Sequence, residues 1–199
     1  MKKSKFLSSL FEKIPSKQVL TFFLVLLVIF NLVLLGVIAQ DREEKRFLKE
    51  IERYVDSSCE EFGIPKAMVF AIIKTESNFD QHARSSADAR GLMQITSVAL
   101  KDINRILSED YTFTQMYDPE INIRCGVAYL SVLYRKYEIF DTAFAAYNAG
   151  QGNVDNWLSD SRYSYDRKQL YHIPFKETKN YVKKVNHYYQ EYQKQYGEN

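Results

Sequence analysis

The chain is expected to be mainly α, a helical domain behind a single N-terminal transmembrane helix, and three observations carry that expectation. An uncharged run of Leu, Val, Ile and Phe fills residues 19–39. Beyond it, apolar residues recur at steps of three and four, with no alternating run that reads as a strand. The 199 residues are 46% hydrophobic and 26% charged, with 7 Gly and 4 Pro, which excludes a low-complexity or disordered chain and leaves enough length for one domain plus an appendage.

Residues 1–18 form a basic tail, with Lys2, Lys3, Lys5, Lys13 and Lys17 against the single acid Glu12. The run from Val19 to Ala39 is interrupted only by Thr21, Asn31 and Gly36. At helical rise, about 20 such residues cross a hydrocarbon core of about 30 Å. Lysines precede the run and the mixed Asp41-Arg42-Glu43-Glu44-Lys45-Arg46 comes after it, so the positive-inside rule keeps the N-terminus in the cytoplasm and exports the rest. A cleaved signal peptide is the rival, with Val37-Ile38-Ala39 as a loose cleavage site. The apolar run outlasts the roughly 7–15 residues of an ordinary signal-peptide core, which favours a single-pass anchor in the cell membrane.

Subtracting the tail from the chain's 27 basic and 25 acidic residues leaves 22 and 24. A near-neutral body with dispersed bases lacks the electrostatic footprint of a nucleic-acid binder. Cys59 and Cys125 fall in separate expected helices and are open to two readings, a disulfide of an exported domain or two buried small apolar side chains. Neither they nor His82, His172 and His187 form a metal motif, so no metal is expected.

Residues 40–50 read as a charged linker or the start of the first helix, and 51–199 as the domain itself. Phe47, Leu48, Ile51, Tyr54, Val55 and Phe62 give a helical stripe over 42–62, stopped by Gly63. Pro65 suits the first turn of a second helix, running to about 77. The polar stretch 78–90 is too long for a tight turn and reads as a functional loop. Further helices are expected over 97–107, 121–137, 142–149 and 177–196. The segment Asn148-Ala149-Gly150-Gln151-Gly152 reads as a helix C-terminus with glycine caps. Trp157 is a sugar-stacking candidate or, more simply, a core or rim aromatic.

The most informative residue is Glu76. Val69, Ile72, Ile73 and Glu76 fall at i, i+3, i+4 and i+7, so the acid belongs to the apolar face of its helix. Burial disfavours the charged form, and the negative end of the helix macrodipole acts in the same direction. Both push its pKa upward, as a general acid working near neutrality requires. The competing reading is a structural carboxylate satisfied by Arg84 or Arg90.

Three motifs occur in order along the chain: Glu76-Ser77, Gly91-Leu92-Met93-Gln94, and Ala146-Tyr147-Asn148-Ala149-Gly150. Together with Asp118-Pro119-Glu120-Ile121-Asn122-Ile123 before Gly126, and Ile173-Pro174-Phe175-Lys176-Glu177-Thr178 before Asn180-Tyr181-Val182, they resemble the soluble lytic transglycosylase family. That family consists of glycoside hydrolases sharing a lysozyme-like fold with goose-type lysozyme, and the resemblance covers about residues 62–185. It implies a lysozyme-like helical domain acting on peptidoglycan glycan strands, without a cofactor. Glu76 matches the family's single catalytic acid/base, and Ser77 completes that motif. Ser85 matches a serine contacting the substrate's acetamido group, and Met93 and Gln94 match a groove-lining pair. Tyr147 and Asn148 match residues that orient the acid and hold the sugar; Glu177 and Tyr181 match the last motif, placed near the cleft. Asp88 and Ser86 stand where the family pattern has Gly and Pro, and Asp tolerates the left-handed backbone such a loop needs.

A two-carboxylate glycosidase needs a second acid at a set separation, and the resemblance supplies one acid only. The implied chemistry therefore borrows the substrate's acetamido oxygen and closes a 1,6-anhydro ring on muramic acid. Two rivals are a hydrolytic muramidase, with Glu177 or Asp88 positioning water, and a weakly catalytic wall-binding scaffold serving a secretion, division or sporulation machine.

Overall fold

The computed structural model describes residues 16–197. The basic tail expected over 1–18 therefore lies, except for its last three residues, outside the described residues. Seven α-helices and one 3-10 turn make up the described chain, with no strand among the described residues beyond isolated bridges. The chain divides into two compact units, Met1–Lys49 and Glu50–Asn199.

Helix α1 (Ser16–Phe62) begins in the first unit and ends in the second. In the first unit its apolar side chains, from Leu20 to Ile38, are all exposed. By length and composition this helix can cross a membrane. The helix expected to begin near residue 42 is thus the continuation of the apolar one, since no residue between 37 and 62 is a Gly or Pro that would break it.

The second unit is built around α2 (Lys66–Glu76), in which Ala67 through Ile73 are all buried. Pro65 stands just before the helix, where a missing N–H costs nothing. Around it lie α3 (Ser97–Leu107), α4 (Pro119–Tyr137), α5 (Phe140–Ala149), α6 (Gln151–Ser159) and α7 (Lys176–Tyr196). Helix α2 packs along α7, α7 also packs on α5, and α5 on both α4 and α6. Ile72, Ile73, Leu92, Ile123, Leu130 and Phe144 are fully buried where these helices meet. Each contributes roughly 1.5–3 kcal/mol by leaving water.

Local chemistry sets the ends. Thr96 caps α3 by accepting from the Ala99 N–H at 3.1 Å. Asp118 does the same for α4 through the Ile121 N–H at 3.0 Å, with Pro119 at the first helical position. That cap and proline start α4 two residues earlier than its apolar periodicity predicts.

Helix α6 is a correction to the expected C-terminal segment around Gly150. The Gly150 N–H closes α5 on the Ala146 carbonyl at 2.9 Å, and its own carbonyl then receives the Val154 N–H at 3.4 Å. With φ at 85°, Gly150 is a sharp corner between two helices, a conformation that glycine alone adopts cheaply. Trp157, on α6, is 7% exposed and packs edge-on against Phe175 with ring centroids 4.9 Å apart, so the core reading holds. Cys125 is a buried thiol, not joined to Cys59, and burial pushes its pKa up to about 12.

Candidate active site

Glu76 is the last residue of α2, on the same face as the fully buried Val69, Ile72 and Ile73. Its side chain reaches the rim of the core and is only partly exposed. Desolvation there pushes its pKa up to about 7, from an ordinary 4.5. Three side chains modulate this: Tyr181, whose hydroxyl favours the charged form, and Lys184 by its charge lower it, and the charge of Glu177 raises it. All three lie on α7.

The structural-carboxylate reading is not what the arginines do. Arg84 and Arg90 both turn to Asp88, Arg90 through Nε at 3.1 Å and Nη2 at 3.2 Å. Between them they hold the Asp88 carboxyl below the usual carboxylate range. Asp88 itself has φ of 60°, the left-handed conformation its position requires. Asp80 and Asp118 likewise serve local backbone, accepting from the His82 and Ile121 N–H groups.

The stretch after Glu76 is a loop stitched to itself. Arg90 and Ile95 exchange two backbone hydrogen bonds at 3.0 Å around Gly91-Leu92-Met93-Gln94, and the Gly91 N–H reaches back to the Ala83 carbonyl at 3.0 Å. Asn122, fully buried on α4, locks this loop from beneath. Its amide donates to the carbonyls of Arg90 (2.9 Å) and Met116 (2.8 Å), and its carbonyl accepts the Met93 N–H at 2.7 Å. The expected site residues did not include Asn122 in its own right. A polar side chain on an otherwise apolar helical face, with Ile123 and Gly126 beside it, is the signal that could have found it.

The structure brings most of the expected residues around this loop. The Tyr147 hydroxyl donates to the Met93 carbonyl at 2.9 Å, and burial beside the Glu76 charge holds its own pKa well above the ordinary value. Tyr181 is buried against Glu76 and raised for the same reasons; its Oη lies near the carboxyl but makes no well-formed hydrogen bond among the described residues. Gln94 donates its amide to the carbonyls of Ala83 (3.1 Å) and Gly91 (2.9 Å). Asn148 accepts from Thr178 Oγ1 at 2.8 Å, which fixes the amide and ties α5 to the start of α7.

Others are placed differently. Met93 is fully buried with its side chain against Gly126, so its backbone, through Tyr147 and Asn122, is what reaches the site. Ser77 Oγ donates to the Ile73 carbonyl at 3.1 Å and serves the end of α2. Ser85 is exposed on the loop, where its Oγ accepts the Ala89 N–H at 3.0 Å and keeps its own proton to donate. Glu177 is exposed in the first turn of α7.

Beside Tyr147 a groove of about 270 Å³ runs between the start of α3 and the α5–α6 corner. Gln94, Thr96, Asp102, Tyr129, Tyr147 and Asn148 are among its lining residues, an aromatic and hydrogen-bonding surface suited to a sugar.

Comparison with known proteins identifies the family of this fold. The family described as "Transglycosylase SLT domain" matches residues 53–170. The "Soluble lytic murein transglycosylase" of Escherichia coli (strain K12) is 38% identical over 128 residues, covering 61% of this chain and 20% of that protein. The "Membrane-bound lytic murein transglycosylase C" of Serratia proteamaculans is 30% identical over 133 residues, covering 61% of this chain and 36% of that protein. Among solved structures, an inactive variant of the lytic transglycosylase Slt from Pseudomonas aeruginosa superposes with a TM-score of 0.64 at 32% identity, over 73% of this chain and 24% of that one. The chain thus spans about a fifth to a third of the length of these relatives. With a family match over more than half of its residues and the helices arranged as described, the chain belongs to the transglycosylase SLT domain family and has its lysozyme-like helical fold.

Proposed function

We propose that the chain is a membrane-anchored lytic transglycosylase that cleaves the β-1,4 bond between N-acetylmuramic acid and N-acetylglucosamine in peptidoglycan, with Glu76 as acid and then base. The observation that carries this reading is a carboxyl on the apolar face of α2, pushed up to about 7 by desolvation and flanked by Tyr181 and by Tyr147, which also lines the groove. Protonated Glu76 gives its proton to the glycosidic oxygen as the C1–O bond breaks. The 2-acetamido oxygen of muramic acid stabilises the positive charge at C1, in the manner of substrate-assisted glycosidases. Glu76, now a carboxylate, takes the proton of the C6 hydroxyl, and that oxygen closes on C1. No water enters, and the enzyme ends as it began.

The residues around it divide the work. Tyr147, anchored on the Met93 carbonyl, limits where the carboxyl can turn, and Tyr181 stands ready to donate to it once charged. Asn148, Gln94 and Ser85 offer amide and hydroxyl groups to the sugars, and Ser77 holds the end of α2. The hydrolytic rival needs another carboxylate to position water. Asp88 is engaged with two arginines, which leaves Glu177 for that role. Mass spectrometry of the fragments released from peptidoglycan discriminates: anhydromuramoyl ends support the proposal, reducing ends replace it with a hydrolase, and no release leaves a scaffold.

The acid form of Glu76 starts the reaction, so kcat/KM is expected to fall as pH rises through about 7. Stability depends on the same group. Between 4.5, its ordinary value, and about 7 the folded state binds more protons than the unfolded one, so stability declines with rising pH across that window. The full loss is about 3 kcal/mol, at 1.36 kcal/mol per unit. Urea midpoints measured from pH 4 to 8 should show this slope in the native chain and lose it in Glu76→Gln.

The anchor part of the proposal rests on the apolar stretch of α1 and on the short span, residues 40–50, that comes after it. Tethered so closely, the domain would act on membrane-proximal wall. A chain without residues 1–40 is expected to complement a null strain only partly; full complementation would remove this element of the proposal.

A further inference from the structure

Helix α7 faces α2 with more than apolar side chains. Residues 177, 181 and 184 are spaced i, i+4 and i+7, so Glu177, Tyr181 and Lys184 share one stripe of the helix. The middle of the stripe, Tyr181, is buried against Glu76. One turn further on, the Lys184 ammonium donates to the Thr75 carbonyl at 3.3 Å. That carbonyl belongs to the residue before Glu76, in the last turn of α2. Carbonyls there have no partner within their own helix and carry the negative end of its dipole. Lys184 therefore satisfies an orphan acceptor and sets a positive charge beside the acid in one contact.

We infer that Lys184 is a positioning residue of the reaction proposed above: its ammonium, seated on the last turn of α2, meets the negative charge that Glu76 acquires when it surrenders its proton. The inference rests on the reading of Glu76 as acid and base. Lys184 exchanges no proton with substrate; the proton lost to the glycosidic oxygen is replaced by the one taken from the C6 hydroxyl. Its work lies between those two events, when a carboxylate stands in a largely dry site.

The groups facing Glu76 make the balance explicit. From α7 come Glu177, Tyr181 and Lys184; from α5 comes Tyr147. On α2 itself, Lys74 is turned to Asn78 Oδ1 at 2.6 Å. Burial and Glu177 favour the protonated acid, and Tyr181 and Lys184 favour the carboxylate. Lys184 is the cation in this set, and it counters Glu177 from the other end of the same stripe. Too strongly protonated, Glu76 could not recover the C6 proton; too weakly, it could not start.

The test uses the full chain in detergent with soluble, uncrosslinked glycan strands, comparing the native protein with Lys184→Met, Lys184→Arg and Glu76→Gln over pH 4–9. Lys184 is exposed, so both of its variants should fold. In Lys184→Met the falling limb of kcat/KM is expected to move alkaline by about half a unit to one unit, as loss of a nearby, partly screened positive charge implies. Its kcat should drop roughly two- to tenfold with KM little changed. Lys184→Arg should restore the limb. The pH at which the stability difference between Glu76 and Glu76→Gln proteins develops should shift in the same direction, a readout independent of turnover. A limb and a stability profile unmoved by Lys184→Met, with Glu76→Gln inactive, would overturn the role of Lys184 alone. An active Glu76→Gln would overturn the acid itself, and this inference with it.

Discussion

Glu76→Gln is expected to lose glycan cleavage by roughly a thousandfold or more while keeping most of its affinity for glycan strands. The loss is large because the proposed mechanism assigns two proton transfers to one group, and an amide performs neither. The β-1,4 leaving oxygen is an alkoxide unless protonated, so the departure of that oxygen is slowed as soon as the acid that protonates it is removed. Binding should survive because glutamine preserves the shape of the side chain and leaves the groove lined by Gln94, Tyr129, Tyr147 and Asn148 untouched. Glutamine also removes an ionisable group from a desolvated position, so the variant should be more stable than the native chain above pH 7. Turnover by product mass spectrometry, glycan affinity by equilibrium binding, and thermal midpoint at pH 8 check the three parts separately. Inactivity combined with greater stability is a signature that misfolding cannot produce.

Gly91→Ala should have the largest effect on stability, at about 3 kcal/mol or more. Gly91 has φ of 76°, where an L side chain is strained in any surroundings. Its surroundings are also full: an added Cβ would collide with the Met116 carbonyl oxygen and with the Asn122 amide. The Met116 carbonyl is a backbone group and Asn122 holds three hydrogen bonds, so neither can give way without loosening the loop. At roughly 2–4 °C per kcal/mol for a domain of this size, the thermal midpoint should fall by about 6–12 °C. Gly152→Ala is the control. Gly152 is helical with nothing within 4 Å of its absent Cβ, so alanine should be neutral or slightly stabilising there.

Much of this architecture can be read from residue order, and the failures have physical causes. The 3.6-residue period of an amphipathic helix survives in any one-sided packing, which is why both ends of α3 and the C-terminus of α4 are legible. Glu76 stands out for the same reason, as an acid on an apolar face. Gly150 misleads because a glycine that ends one helix and a glycine that turns directly into another have the same local composition. Only the residues of α6 itself could separate the two cases, and α6 has just Val154, Trp157 and Leu158 buried to announce it. Asn122 and Lys184 escape a reading of the sequence as participants because their importance is made by contacts 29 and 109 residues away in the chain. Met93 and Ser77 show the reverse limit. Their positions in short motifs are recognisable, but whether side chain or backbone faces the site depends on packing, and in Met93 the side chain goes to the core.

The loop that carries Ser85, Gly91 and Gln94 owes its shape to backbone hydrogen bonds, to Asn122 beneath it and to the polar contacts of Ser85, Asp88 and Gln94, and not to the side chains of residues 86 and 87. Ser86 and Ala87 are exposed there, between the arginine-clamped Asp88 and the Ala83 carbonyl that anchors Gly91. The scaffold is thus separated from the decoration. Substitutions at residues 86 and 87 should therefore change folding stability by no more than about 0.5 kcal/mol, so that the outer edge of the loop can be varied while its frame stays in place.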